Sequence, residues 1–485
     1  MSKVGTYTGG GYPGGGPSSL REHNQLAVLR ALLDAGETGT LSRSRLATNL
    51  DLTPPALSSL SAELLGAGLL ETREPAAPEA GQTRRRGRQE IPLALAPLAR
   101  QVVTIHIGAT GLDVGLADLR ARTLTRHTLR IDHPAWGASP AALASAVAAL
   151  VEQLLQETGF SRETVLGAGA GIAGWVDGAS GIVRSHAQLG WRDVPLAALL
   201  SRALDLPVVI EDHVRAMALA EAWYGAGRET QSLALLYVGA VAGCALAHGR
   251  RVHRGRVAAA GVAGFLPAGV PQAAQEAAPQ AASEAVPALL SSLTDPPLLM
   301  RPPLVADSSS LEETASEPAL FRQAQRLAVV EPDSLAARWV RDPRPGLIPL
   351  SSYLAEAVTA AGAQADAVTL DLLRRRAARL APLVAHLIAV YDPDTFVLAG
   401  PMAWERPVSN EGLQLRFLRE AVVAYAPPLA DRLPPFVATE AGRRGAMAGP
   451  ASLVLQEAFS PPLGTGMADS HTRAAIRRRL IQRIK

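Results

Sequence analysis

Apolar residues recur at helical spacing close to the start of the chain. Leu26, Leu29, Leu32 and Leu33 would share one face of a helix, and Gly36 follows them as a stop signal. Polar residues occupy the positions between these leucines. The pattern therefore predicts an amphipathic first helix that ends at Gly36.

Two shorter helices are predicted next. Ser42 is suited to cap the second helix, and Thr53 followed by Pro54 combines a cap with a first-turn proline for the third. The inner face of the third helix carries a row of leucines: Leu57, Leu60 and Leu64. The short link around Asp51 between the two helices is typical of a helix-turn-helix.

Two strands are predicted after the third helix, at Leu69–Thr72 and Ile91–Leu95, joined by a loop rich in Pro, Gly and Arg. With the helices they predict a winged helix-turn-helix over residues 20–97. The glycine-rich residues 1–19 before it are expected to form a flexible leader.

Strands alternate with long Ala/Leu helices from residue 98 onwards, which predicts an α/β domain over residues 98–460. Residues 268–308 are rich in Ala, Pro, Gln and Ser, so we expect a flexible insertion there. Residues 461–485 form a basic tail with apolar residues at helical spacing. We expect this tail to dock on its own body with its arginines solvated.

Composition limits the class of protein. A chain of 485 residues exceeds the roughly 250–300 residues at which one core stops growing, so several domains are expected. Cys244 is the single cysteine, which excludes an internal disulfide and favours a cytoplasmic location. The apolar stretch Leu233–Ala247 is shorter than the roughly 20 residues that span a bilayer, so we expect no membrane partner. The net charge of +3 is a weak argument for nucleic-acid binding, but arginines cluster in two segments, at 84–88 and 473–485.

The first arginine cluster lies in the predicted wing, where guanidinium groups can enter a narrow minor groove. The predicted DNA contacts of the wing are Arg84, Arg85, Arg86 and Arg88. A solvated basic linker is the alternative interpretation.

The helix-turn-helix offers fewer contacts to bases. Arg43 and Arg45 on the second helix suit contacts to phosphates, which position a protein without reading sequence. The outward residues predicted for the third helix are small and polar: Thr53, Ser58, Ser59 and Ser61. None of them forms the two-pronged base contacts of Arg, Asn or Gln, so we expect weak major-groove readout of double-stranded DNA.

The order of motifs resembles the ROK family of repressors, open reading frames and sugar kinases. The segment Leu41–Ala47 is similar to the Ser-Arg-x-x-Leu-Ala of its repressors, and residues 171–177, 189–191 and 209–221 are similar to landmarks of its body. The resemblance implies an actin-like, sugar-kinase-type body of two lobes with a ribonuclease H-like fold. It also implies a homodimer or homotetramer.

The chain departs from the family where the kinases carry their chemistry. By the resemblance, His213 occupies the position of the catalytic Asp, Asp212 and Arg215 those of two Asn, and His106 that of the Asp in the first phosphate loop. The second phosphate loop, Gly239–Gly243, carries side chains where the family has glycine. An anionic base and open phosphate loops are required for phosphoryl transfer, so we expect no kinase activity and no binding of ATP or Mg²⁺.

The structural zinc site of the family is also altered. Val262, Phe265 and Ser310 stand at positions of a Glu, the zinc His and a Cys, so no zinc is expected. The predicted ligand-binding residues are Gly174, Asp212, His213 and Glu312, with Arg215 as a further polar group in the cleft. A sugar or sugar derivative is one expected occupant, and a cleft kept only as a dimerisation scaffold is the alternative.

The sequence thus predicts a DNA-binding transcriptional regulator of the ROK type, a repressor of carbohydrate metabolism that is not an enzyme. Two alternatives remain at this stage. One is a sugar kinase with an attached DNA-binding domain, and the other is a DNA-binding protein that responds to no ligand.

Overall fold

The computed structural model describes residues 17–35, 39–74, 90–109, 111–131, 133–268, 310–342, 349–362, 365–403, 412–440, 447–460 and 468–482. The wing arginines Arg84, Arg85, Arg86 and Arg88 lie outside these residues, as does the expected insertion apart from residue 268. The prediction of their DNA contacts therefore stays a prediction.

The N-terminal elements form a winged helix-turn-helix. In chain order they are α1 (Pro17–Leu33), β1 (Thr40–Leu41), α2 (Arg43–Leu50), α3 (Pro54–Gly66), β2 (Leu70–Thr72) and β3 (Leu93–Leu95). The strands pair antiparallel in the order β1-β3-β2. The sequence missed β1 and placed the end of α1 three residues too late, at Gly36. The structure begins α1 at Pro17, inside the segment that was expected to be a leader.

Side-chain caps fix both helices of the helix-turn-helix. The Ser42 hydroxyl accepts from the Arg45 amide, and the Thr53 hydroxyl accepts from the Ala56 amide. Asp51 ends α2 in the left-handed region at φ 52°, which turns the chain towards α3. Both predicted caps are present.

The first lobe of the body contains a five-stranded sheet in the order β11-β7-β4-β5-β6. Its elements in chain order are β4 (Gln101–Ile107), β5 (Gly111–Ala117), β6 (Thr123–Arg130), α4 (His133–Ala138), α5 (Pro140–Thr158), β7 (Val165–Ile172), β8 (Trp175–Asp177), β9 (Ile182–His186), β10 (Trp191–Val194), α6 (Leu196–Leu204) and β11 (Val208–Asp212). Strands β4, β7 and β11 run parallel, whereas β8, β9 and β10 form a small antiparallel sheet.

The second lobe contains another five-stranded sheet, in the order β14-β13-β12-β15-β16. Its helix α7 (His213–Tyr224) leads out of the first lobe, and the elements that follow are β12 (Ser232–Val238), β13 (Ala242–His248), β14 (Arg251–Val252), α8 (Leu311–Ala315), α9 (Glu317–Val330), α10 (Leu335–Arg341), α11 (Leu350–Ala361), α12 (Ala367–Tyr391), β15 (Thr395–Ala399), α13 (Leu413–Tyr425) and β16 (Phe436–Ala438). Two sheets with helices around them form the predicted mixed α/β body.

Two C-terminal helices, α14 (Ala448–Phe459) and α15 (Ser470–Ile481), return to the first lobe. One hydrophobic core joins them to the N-terminal module: it includes Leu29 of α1, Trp223 of α7, Phe459 of α14 and Leu480 of α15. The N-terminal module and the body therefore share buried surface, which restricts their relative motion.

The basic tail docks on its own body, but the expectation of solvated arginines is wrong for part of it. Arg477 is buried and donates to the carbonyls of Glu457 and Ser460. The buried guanidinium of Arg100 donates to the Arg479 and Gln482 carbonyls at the end of α15. These arginines can be buried because they donate to carbonyls near helix ends that would otherwise lack partners.

Candidate functional site

The cleft between the lobes is organised around the first turn of α7. Strand β11 ends at Asp212, which becomes the N-cap of α7: its Oδ1 accepts from the amides of Val214 and Arg215, both at 3.0 Å. The side chain is buried, and this burial raises its pKa to about 6, opposed by the charge of Arg215. Oδ1 of the predicted ligand-binding carboxylate is thus occupied by hydrogen bonds from helix amides, and Oδ2 is the oxygen that can accept from a ligand.

His213 follows at the first position of α7 and is 4% exposed. Its ring donates to the Ile172 carbonyl, and its Nδ1 has no hydrogen-bond partner among the described residues. Burial, followed by the nearby His106, lowers its pKa to about 3. At neutral pH the group is therefore a neutral imidazole with Nδ1 as an acceptor, and Nδ1 lies 3.7 Å from Asp212 Oδ2.

Two further rings pack against His213. Tyr237 of β12 lies edge-on, with ring centroids 4.8 Å apart, and His106 of β4 lies 5.8 Å away. His106 Nδ1 is 3.4 Å from Asp113 Oδ2. Since β4 belongs to the first lobe and β12 to the second, these rings join the lobes at His213, which the sequence resemblance matches to the catalytic carboxylate of the family's kinases.

Tyr237 lies between two glycines that leave room for its ring. A Cβ on Gly239 would lie 2.4 Å from Tyr237 Oη, and one on Gly400 would lie 2.9 Å from Cε2. Burial raises the pKa of Tyr237 to about 12, so the phenol stays neutral. Sequence reasoning missed Tyr237. Its position two residues before the altered phosphate loop was the available signal.

The prediction that Arg215 is a polar group of the cleft is wrong. It was expected in the cleft, but its side chain is fully buried and pairs with Glu211, which also binds Arg254 at 2.6 Å. Its other nitrogens donate to the carbonyls of Val176 and Ala260. Arg215 therefore ties the segment after β14 to the first lobe and presents no free donor to a ligand.

The other two predicted ligand residues occupy different surroundings. A Cβ on Gly174 would lie 2.3 Å from the Ser185 carbonyl oxygen, so close backbone packing alone requires glycine there. Glu312 in α8 lies against Gly264, and its carboxyl accepts from the Ala242 amide. Desolvation raises the pKa of that carboxyl. Of the predicted set, the structure brings Asp212 and His213 into direct proximity.

The residues at the family's zinc position do not fit zinc. Ser310 is the N-cap of α8 and forms a capping box with Glu313, and Phe265 is exposed. Hydroxyl and phenyl groups do not supply the thiolate and imidazole ligands of a structural zinc site. Among the described residues, no group of three or more His, Cys, Asp or Glu side chains is arranged to hold a metal ion.

Most of the predicted DNA contacts in the described helices are exposed, with one correction. Arg45, Thr53, Ser58 and Ser59 are exposed, whereas Ser61 is fully buried and accepts from Arg43 Nε at 3.3 Å. Ser61 is hidden because it lies on the α2-facing side of α3.

Two of the exposed or half-exposed side chains already have protein partners. Arg43, which bonds Ser61, links α2 to α3. Ser59 contacts Arg21 of α1 and Glu63 of its own helix. Arg45 is thus the more available of the two predicted phosphate contacts.

Comparison with known proteins places the chain in a family. The pattern of the ROK family matches residues 102–457. The "Transcriptional regulator Mb0495" of Mycobacterium bovis is 29% identical over 92% of this chain and 89% of its own length. The "Putative xylose repressor" of Caldicellulosiruptor sp. is 25% identical over 52% of this chain and 60% of its own length.

A solved structure agrees on the fold. It is a ROK family transcriptional regulator described as a homologue of the E. coli MLC protein, with a TM-score of 0.63, 17% identity, and coverage of 95% of this chain and 98% of that one. The described helices include none that is long and apolar enough to cross a membrane. Because the family pattern covers most of the chain, this protein belongs to the ROK family.

Proposed function

We propose that this protein is a DNA-binding transcriptional regulator, a repressor, that binds double-stranded DNA through its winged helix-turn-helix. The observation that carries the proposal is the capped pair α2 and α3 with an exposed polar outer face at Arg45, Thr53, Ser58 and Ser59. A recognition helix in the major groove presents such a face to DNA. Relatives named as a transcriptional regulator and a putative xylose repressor support the proposal.

We also propose that the body does not phosphorylate sugars. Phosphoryl transfer to a hydroxyl requires a base that accepts its proton and an electrostatic environment that stabilises the transferred group. The neutral His213, with a pKa lowered by burial to about 3, is a weak base at that position. The ring of Tyr237 packs on it and lies over Gly239 and Gly400, where the family expectation is an open phosphate loop.

A neutral, hydroxyl-rich effector such as a sugar is the ligand class that we propose for the cleft. A ligand hydroxyl could donate to His213 Nδ1 or to Asp212 Oδ2, two acceptors 3.7 Å apart. A second candidate is regulation without a small ligand, and the packing of Tyr237 between the lobes favours it. In either case a homodimer would present paired modules to an inverted repeat.

The DNA proposal is tested by selecting bound sequences from a random duplex pool at fixed salt. We expect the intact chain to enrich an A·T-rich inverted repeat, and the Arg86→Ala/Arg88→Ala variant to lose it. Arg326→Ala, which changes an exposed arginine on α9, is the control and should enrich the same repeat. Equal enrichment by the intact chain and the double variant would contradict the role of the wing, and no enrichment by any chain would contradict the proposal.

The proposal on kinase activity is tested with an ADP-release assay over hexoses and amino sugars. We expect ADP release at the rate of a protein-free blank. Turnover that His213→Ala abolishes would show that the imidazole acts as a base, and the protein would then be a kinase.

A further inference from the structure

Helix α7 connects the cleft to the DNA-binding module. It begins with His213 beside Asp212 and ends with Trp223 and Tyr224, and each of these residues is buried. At a rise of 1.5 Å per residue the two ends are about 16 Å apart. The helix packs against β11 and β7 of the first lobe and against β12, β13 and β14 of the second. Its C-terminal end thus lies at the point where both lobes meet α1.

Trp223 lies between one arginine of the module and one of the second lobe. The guanidinium carbon of Arg30 in α1 is 5.6 Å from the ring centroid, and that of Arg250 is 5.4 Å away. The indole nitrogen donates to the Arg250 carbonyl at 3.2 Å. Cation–π contacts of this kind contribute more when the ring is desolvated, and Trp223 is 5% exposed.

Asp34, one residue past the end of α1, completes the junction. Its Oδ1 lies 2.6 Å from Arg250 Nη1, and its carbonyl oxygen accepts from Arg228 Nη2 at 3.0 Å. Arg250 belongs to the turn between β13 and β14, and Arg228 lies just before β12. Both arginines therefore belong to the second lobe. We name Asp34, Arg228 and Arg250 the α1 latch.

Further contacts of the module are with the first lobe and the C-terminal helices. Leu29 and Leu32 of α1 share a core with Phe459 of α14 and Leu480 of α15. Arg120, in the turn between β5 and β6, lies against Gly39 of the module. The module thus rests on both lobes. A change in the angle between the lobes must either break the latch or move α1 with the second lobe.

We propose that the α1 latch makes the position of the DNA-binding module depend on the angle between the lobes, and that it is the device by which the state of the cleft reaches DNA. This inference rests on the proposed function, because a lobe movement matters for regulation only if the module binds DNA. Its physical content is independent of DNA: the Asp34–Arg250 ion pair and the hydrogen bond from Arg228 to the Asp34 carbonyl hold α1 to the second lobe, and an apolar core holds it to the first.

The test measures distances between spin labels in the full chain by pulsed electron resonance. One label is placed on α2 at Asn49→Cys, paired either with Arg326→Cys on α9 of the second lobe or with Gln156→Cys on α5 of the first. All three positions are exposed. Cys244 can remain, because its thiol is buried and burial raises its pKa to about 11, which suppresses labelling.

The latch variants are Asp34→Asn and Arg250→Gln, and the control is Arg256→Gln, an exposed arginine six residues from Arg250. We expect either latch variant to at least double the width of the distance distribution between positions 49 and 326, with the distance between 49 and 156 unchanged. The control should match the wild type in both. Unchanged distributions in both latch variants would overturn the proposal.

A cleft variant tests the coupling itself. Tyr237→Leu removes the ring that joins the lobes at His213. When the latch is intact, we expect this variant to shift the distance between positions 49 and 326. In the Asp34→Asn background, we expect it to add no further shift. Equal shifts in both backgrounds would overturn the coupling. If Tyr237→Leu does not fold, His213→Ala removes the other ring of the same contact and serves as the second variant, with the same expected outcomes. Failure of the DNA selection with a positive latch result would overturn only the proposed function.

Discussion

Asp212 provides a stability prediction with a defined sign. Its carboxyl is buried at the N-cap of α7, and burial raises its pKa from 3.8 to about 6. One pKa unit corresponds to about 1.4 kcal/mol, so the charged form costs the folded state on the order of 3 kcal/mol relative to the unfolded chain. Because the folded state binds the proton more tightly, the contribution of this carboxyl to stability is largest below pH 4. It falls as the pH rises towards 6 and then levels off.

Asp212→Asn removes this cost while keeping the cap, since Asn accepts from helix amides about as well as Asp. The raised pKa, and so this cost, already includes the opposing attraction to Arg215. We expect the variant to be more stable than the wild type by about 1–3 kcal/mol at pH 7.5, with the difference shrinking towards pH 5. The assay is urea unfolding of both chains at pH 5.0, 6.0 and 7.5, followed by tryptophan fluorescence.

Asp366→Asn is the matched control, because Asp366 also caps a helix, α12, but its pKa changes in the opposite direction. Although burial opposes the change, the amides of Leu335 and Thr369 lower the pKa of Asp366. Its stabilisation is present above the unfolded pKa, so the variant should show a constant deficit from pH 5.0 to 7.5. A gain for Asp212→Asn that is the same at all three pH values, or a loss at pH 7.5, would refute the reasoning.

Two further predictions concern packing and DNA affinity. Gly169→Ala would place a Cβ 1.9 Å from the Pro450 carbonyl oxygen and push β7 away from α14. We expect its thermal unfolding midpoint to lie well below that of the control Gly111→Ala, whose Cβ would have its nearest neighbour at 3.8 Å. Equal midpoints would contradict the close packing of β7 on α14. Arg45→Ala should weaken binding to different duplexes by a similar factor and reduce the slope of log affinity against log salt by about 1, whereas Arg326→Ala should do neither. A salt slope unchanged by Arg45→Ala would remove that residue from the phosphate contacts.

The sequence was most informative where structure depends on neighbours within a few residues. Ser42 and Thr53 cap the helices that they were predicted to cap, and the leucines of α3 face the core. Capping involves a side chain and an amide two or three residues away, so its signal lies in a short segment. The motif order likewise indicated the family and the two-lobed body, because each motif is local even though the motifs lie far apart.

The structure was needed wherever a side chain meets a partner distant in the chain. Arg215 looked like a cleft residue, but its partners include Val176 and Ala260, and Ser61 looked exposed although Arg43 covers it. No local pattern shows which of several polar residues will be buried, because that depends on which elements pack against it.

The sequence by itself determined that the chain has a capped helix-turn-helix and an α/β body. Its resemblance to the family also implies that two histidines stand at positions where the kinases carry carboxylates. Only the tertiary structure decided what those changes produce. Tyr237 of the second lobe packs on His213 at the start of α7, Asp212 caps that helix, and Arg250 pairs with Asp34 of the DNA-binding module. The physical reason is that capping and periodicity are set by neighbouring residues, whereas burial and ion pairing are set by elements that approach one another only when the chain has folded.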